Sequence, residues 1–313
     1  MAGWNLLCPG QGAQAVGMAR AWFDASGEAR RVLTLAERLL GGRLGVPLTT
    51  LCFEGPSESL NRTDASQPAI FATSMACLAG ICEGRGVSPS ELPLDAAAGL
   101  SLGEYTALCA AGAMSFEDGL ELVALRGRAM QDAAEATPGG MVALVGADEA
   151  GAAEVCDAAR GGDILVCANF NAPGQVVLSG SRGACERAAA EAERRGLRAA
   201  SLPVAGAFHS PLMASAASRL GEALAKVRFR PARCPVLSNV TGVPHESGSE
   251  SVRTRLVEQL TSPVRWEACC RYLVSSAHGE FVELAPGRTL AGLMKRIDRS
   301  VKVTSRDEPA GGS

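Results

Sequence analysis

Apolar positions along the chain alternate between short continuous runs and longer stretches with helical spacing. "WNLLCPGQG" reads as a strand running into a glycine-rich turn, and "EARRVLTLAERLLG" and "PAIFATSMACLAGICEGRG" read as helices. "LDAAAGL" is short and apolar, as a buried strand is, and "GEYTALCAAGAM" after it has helical composition. Ser101 falls at that junction. Strands alternating with helices predict an α/β protein with a parallel sheet covered on both faces. Between residues 137 and 204 the order changes to β-α-β-β-α-β, with two strands around an N-A-P-G turn, which is the ferredoxin-like plan. The division expected is a core of residues 1–136 and 205–313 with a small subdomain, 137–204, inserted. "LPVAGAFHSPLM" reads as an apolar strand, "TGVPHESGSES" as a polar surface loop and "SRDEPAGGS" as a loose tail.

Composition narrows the class. The 313 residues are 47% hydrophobic, 20% charged and only 4% aromatic, enough for one or two soluble domains with an Ala/Val/Leu core. A net charge of −3 without a basic run favours neither nucleic acid nor an anionic membrane as partner. Eleven cysteines, an odd number with no C-x-x-C, fit reduced thiols rather than a disulfide scaffold. No zinc spacing is present, so no metal is expected. "MAGWNLLCPGQGAQ" has no basic n-region and its apolar run is broken by Pro9-Gly10, so neither a secretory signal nor a membrane span is expected there. These features predict a cytoplasmic monomer, with plastid or mitochondrion as the alternative compartment.

The chemistry centres on "GLSLG", residues 99–103. G-x-S-x-G is short, and in a chain with this much glycine it arises by chance about one time in three, so its context decides. A serine at a strand-to-helix turn is the context of a nucleophile elbow. A hydroxyl also needs a base. Of the three histidines, His245 falls in the polar loop and His278 in a turn, whereas His209 precedes Ser210-Pro211, an N-cap and N1 pair at a strand end. Arg126 is the only charge on the apolar face of the helix "SFEDGLELVALRGRAMQDAAE". A buried guanidinium stays charged and requires a partner, either an internal carboxylate or the carboxylate of a substrate. Ser101, His209 and Arg126 together suggest acyl transfer from a substrate with a free carboxylate. The oxyanion would rest on the N–H of Leu102, just after the nucleophile, and on one from "PGQGAQ" around Gln11.

"PGQGAQ", "QPAIF", "GLSLGEYTAL", "LRGRAMQ", "NAPGQVVLSG", "GAFHSPLM", "LSNVTG", "QLTSPVRW" and "ELAPGRTLAGLMKRI", in this order over nearly the whole chain, resemble the malonyl-CoA:acyl carrier protein transacylase family, which is similar to the acyltransferase domains of polyketide and fatty acid synthases. The resemblance implies a hydrolase-like α/β core with a ferredoxin-like insertion. It implies Ser101 as the acylated nucleophile, His209 as general base and then acid, and Arg126 as the ligand of the malonyl carboxylate. Gln11 and Leu102 would supply the oxyanion N–H groups, and the main-chain carbonyl of Gln259 would hold the histidine. Phe208 resembles the bulky residue of malonyl-selective members. Leu100 departs from the family's commoner G-H-S-x-G elbow.

The function so implied is malonyl transfer from malonyl-CoA to the phosphopantetheine thiol of acyl carrier protein, by a ping-pong mechanism serving fatty acid or polyketide synthesis. Malonyl-CoA is a substrate, and no cofactor or metal is implied. Because carrier proteins are acidic in most systems, Lys295 and Arg296 are candidates for a docking patch. The alternatives are an acyl hydrolase, with water as acceptor, and a non-catalytic docking module of a synthase complex.

Overall fold

Eight strands appear among the described residues of the computed structural model, which are 3–276 and 278–309. They are β1 (Trp4–Cys8), β2 (Leu94–Gly99), β3 (Gly139–Val145), β4 (Leu165–Ala172), β5 (Gln175–Ser181), β6 (Arg198–Ser201), β7 (Glu280–Leu284) and β8 (Val303–Arg306). Strands β2-β1-β7-β8 form a parallel sheet in that order. Every residue of β1 is buried, so both faces of the sheet are covered. The period of two divides the side chains between faces. Leu6, Cys8, Ala97, Val282 and Leu284 enter one hydrophobic cluster, while Leu7, Ala96, Ala98 and Phe281 enter another with Trp266 and Met294.

The helix Thr63–Arg85 runs through the larger cluster. By length and composition it could cross a membrane, yet 94% of its apolar window is buried in the protein, as in a core helix. It begins five residues before Pro68, the start of the apolar run, so the proline lies inside the helix rather than at its first turn.

The second sheet is antiparallel, ordered β4-β5-β3-β6, with helices Glu149–Arg160 and Arg182–Arg194 between its strands. That order is the ferredoxin-like one. Val142, Leu144, Val176 and Leu178 face the two helices. Met141, Ala168 and Val177 face the opposite way and join the main core. The main-chain bonds Phe170 N–H to Val264 O (2.9 Å) and Val264 N–H to Ala168 O (2.8 Å) tie β4 to the segment before Trp266.

Three local expectations change. The apolar strand ends at Ser201, because Pro203 has no N–H for the ladder and the last ladder-like bond is Leu202 N–H to Met141 O. His209 is therefore presented by an irregular stretch. The polar loop from residue 241 ends where a helix, Ser249–Glu258, begins. Of the C-terminal tail, residues 310–313 lie outside the described residues, while Val303–Arg306 pair with β7. All eleven cysteines are free, and ten are buried.

Candidate active site

Strand β2 stops at Gly99, and the next helix, Gly103–Ala110, starts four residues later. Only glycines fit so tight a reversal. A Cβ on Gly99 would run into the Gly103 backbone, and one on Gly103 into the Cys8 carbonyl. Between them Ser101 is forced to φ +52°, a left-handed conformation that is uncommon for serine. Its main-chain N–H donates to Asn239 Oδ1 (2.6 Å), and its carbonyl accepts from Gln259 Nε2 (3.0 Å). The strained turn is thus held from two sides, with Oγ projecting from it.

His209 is also left-handed, at φ +55°, immediately before the short 3-10 turn Pro211–Met213. Ser210 caps that turn, accepting from Leu212 N–H (3.2 Å) and donating to Ala207 O (2.6 Å), with Pro211 at its first position. His209 Nδ1 lies 2.7 Å from the Gln259 carbonyl and Nε2 lies 2.8 Å from Ser101 Oγ. A carbonyl only accepts, so Nδ1 carries the hydrogen and Nε2 of the neutral ring is free to take the serine proton. Burial, reinforced by the Arg126 charge and opposed by the Gln259 hydrogen bond, pulls His209 down to about 4. The imidazole is therefore neutral at physiological pH.

Arg126 is 1% exposed on the helix Phe116–Ala136. Among the described residues it has no carboxylate within ion-pair distance, which removes the internal-carboxylate alternative. Nη1 donates to Gln67 Oε1 (2.7 Å), and Nη2 donates to Gln259 Oε1 and Ser101 Oγ (both 3.0 Å). Nε is buried without a partner among the described residues. The Tyr105 ring lies 5.4 Å away. Burial lowers the Arg126 pKa, while Tyr105 and Glu104 oppose the shift. Arg128, by contrast, pairs with Asp64 and Asp132 at the surface.

A cavity of about 400 Å³ opens onto Ser101 and His209. Gln11, Leu100, Met130, Phe208 and, from the antiparallel sheet, Met141 and Val177 line it. The N–H groups of Gln11 and Leu102 donate to no acceptor among the described residues. Leu102 precedes the helix Gly103–Ala110, where a negative oxygen is favoured. A Cβ on Gly10 would meet the Leu100 carbonyl, so the Gln11 turn packs directly against the elbow. Arg126 lies behind Ser101 rather than on the cavity wall. Lys295 and Arg296 do not line the cavity, and Arg296 instead donates to Gln175 Oε1 (3.0 Å).

Four residues without an assigned role in the motifs belong to this site. Gln67, in "QPAIF", holds Arg126, and Asn239, in "LSNVTG", holds the Ser101 N–H. Glu104, in "GLSLGEY", accepts from Asn239 N–H (3.0 Å) and Gln259 Nε2 (2.7 Å). His245 is a correction: its side chain is only 5% exposed, and Nε2 lies 2.7 Å from Glu104 Oε1. The available signal was a polar residue inside an apolar stretch, as for Glu104 at the start of "EYTALCAAGA".

A serine on an elbow, a neutral imidazole beside its hydroxyl and two free N–H groups on an α/β scaffold define the class of serine-dependent acyl-transfer enzymes. The chain belongs to the acyl transferase domain family, which matches residues 6–311. It is 38% identical over 305 residues to the malonyl CoA-acyl carrier protein transacylase of Bacillus subtilis, covering 97% of this chain and 93% of that protein. The solved malonyl-CoA:acyl carrier protein transacylase of Xanthomonas oryzae superposes with a TM-score of 0.91 at 39% identity, covering 99% of this chain and 96% of that one. A malonyl-transacylase solved in complex with a type II PKS acyl-carrier protein gives 0.90 at 34% identity, covering 98% and 97%.

Proposed function

We propose that this protein moves a malonyl group from malonyl-CoA to the phosphopantetheine thiol of an acyl carrier protein by a ping-pong mechanism. His209 Nε2 takes the Ser101 proton as Oγ attacks the thioester carbonyl. The N–H groups of Gln11 and Leu102 receive the negative oxygen. The intermediate collapses, CoA leaves with the proton from His209, and malonyl remains on Ser101. The carrier thiol then gives its proton to His209 and attacks the ester, which restores Ser101. The Gln259 carbonyl keeps the imidazole in the required tautomer throughout. The residues that act are oxygen and nitrogen donors and acceptors, so the reading needs no metal or resident cofactor.

The observation that carries this reading is Arg126, buried without a carboxylate partner among the described residues and 3.0 Å from the Ser101 hydroxyl. In a malonyl group one methylene separates the thioester carbonyl from the carboxylate, so a carboxylate anchor must lie close to the attacking oxygen. The three acceptors that Arg126 has among the described residues are neutral, and a substrate carboxylate would replace them with a stronger one.

The same reading treats residues 137–204 as a subdomain inserted into a core of 1–136 and 205–313, and the protein as a cytoplasmic monomer with neither nucleic acid nor membrane as partner. Intact mass spectrometry after mixing with malonyl-CoA tests the proposal. A malonyl adduct on the wild type, absent from Ser101→Ala and removed by holo acyl carrier protein, is expected. Release of free malonate without transfer would make the protein a hydrolase.

A further inference from the structure

Beneath the reacting groups lies a carboxylate that touches none of them. Glu104 is fully buried on the helix that follows the elbow. Its Oε2 accepts from the Asn239 main-chain N–H and from Gln259 Nε2, and its Oε1 meets His245 Nε2. Each of the first two partners holds part of the site. Asn239 spans the elbow, accepting from Ser101 N–H and donating Nδ2 to Gly99 O (2.7 Å). Gln259 donates to the Ser101 carbonyl, accepts from Arg126 and, through its main chain, orients His209.

Hydrogen-bond direction makes this arrangement specific. Arg126 can only donate, so it selects the oxygen of the Gln259 amide, and Glu104 Oε2, which already accepts from the Asn239 N–H, selects the nitrogen. The amide thus links the buried guanidinium to the buried Glu104 carboxyl group, and it cannot flip without opposing like groups at both ends. The His245 ring follows the same logic. Its Nδ1 is buried without a partner among the described residues. A hydrogen on Nδ1 would be an orphaned donor, whereas a hydrogen on Nε2 is donated to Glu104. His245 is itself anchored by its main-chain N–H to Val236 O (2.8 Å) beside β2.

We propose that Glu104, braced by His245, is the positioning residue of the site, fixing Gln259 and Asn239 and through them His209, Arg126 and Ser101. The proposal rests on the acyl-transfer reading above. A displacement of about 1 Å in a reacting group costs on the order of a hundredfold in rate.

The test uses the full chain with Glu104→Gln, His245→Leu and His245→Gln. The first readout is the rate at which a fluorophosphonate labels Ser101, which needs the nucleophile and base but no substrate carboxylate. The second is kcat with malonyl-CoA and holo acyl carrier protein. Glu104→Gln turns one of the two acceptor oxygens into a donor facing donors and is expected to slow labelling and kcat by about ten- to a hundredfold. His245→Leu is expected to slow both by about tenfold, and His245→Gln, which keeps a donor, to return them to within about threefold. Unchanged labelling in Glu104→Gln and His245→Leu, with only a lowered Tm, would overturn the proposal and leave the pair a packing feature. If Glu104→Gln does not fold, the two His245 variants decide, because equal rates in both overturn it. Wild type that resists the phosphonate overturns both this proposal and the acyl-transfer reading. Wild type that is labelled but takes no malonyl removes only the substrate assignment.

Discussion

The guanidinium of Arg126 donates to the hydroxyl of Ser101 across 3.0 Å, so the charge that would recognise a substrate also touches the atom that would attack it. Without substrate, that bond occupies part of the Oγ electron density, and the Arg126 charge lowers the basicity of His209. A substrate carboxylate drawing Nη2 away would relieve both effects at once. A substrate without one would leave both in place.

Arg126→Ala is therefore expected to reduce kcat/KM for malonyl-CoA by about a hundredfold or more, from the loss of two charge-assisted hydrogen bonds of about 1.5–3 kcal/mol each. The rate with acetyl-CoA should change far less, so the malonyl-to-acetyl ratio collapses. Steady-state kinetics with both thioesters checks this, and an unchanged ratio would remove Arg126 from acyl recognition.

The depressed pKa of His209 predicts two pH effects. Loading of the free enzyme should stay level from neutrality to about pH 5 and fall about tenfold per pH unit below about 4, where Nε2 is occupied by a proton. Stability should move in the same direction over a higher window. The unfolded histidine binds a proton below about 6.5 and the folded one only below about 4, so stability is lost as pH falls between these values. The contribution is on the order of 3 kcal/mol. Urea melts at pH 7 and pH 4.5, with His209→Ala as the flattened control, measure it.

Phe208 is buried at the cavity wall beside His209. Phe208→Ser should admit an α-methyl branch and improve methylmalonyl loading relative to malonyl by about tenfold, within the roughly 1–3 kcal/mol that one methyl group is worth. Competition between the two thioesters, read by mass spectrometry, gives the ratio directly. No shift would place the branch against another wall.

Asn239→Ala leaves the Ser101 N–H and the Gly99 carbonyl without their partners inside the protein. A loss of about 2–4 kcal/mol in unfolding free energy is expected, with slower loading because the elbow is no longer held at its end. Chemical denaturation checks the first effect. A stability equal to that of wild type would mean that water replaces the amide.

Several features were legible in the sequence because they depend on local geometry or on a single incompatible residue. The elbow needs small residues on both sides of Ser101, and "GLSLG" displays them. Arg126 stands out because a charge on an apolar helical face contradicts its surroundings. The β-α-β-β-α-β order declares the second sheet by alternation of period alone. Other features depend on which distant segments meet. His209 looked like the end of a strand, but Pro203 breaks the ladder and the approach is irregular. His245 read as part of a polar loop, since no local pattern shows that Glu104, 141 residues earlier in the chain, waits buried beneath it. The sequence by itself therefore determined the scaffold, the serine elbow and the buried cation, each set by short-range sterics or by the cost of burying charge. Tertiary structure alone decided the network under the site, because hydrogen bonds between buried polar groups carry no periodicity and exist only once the chain has brought their ends together.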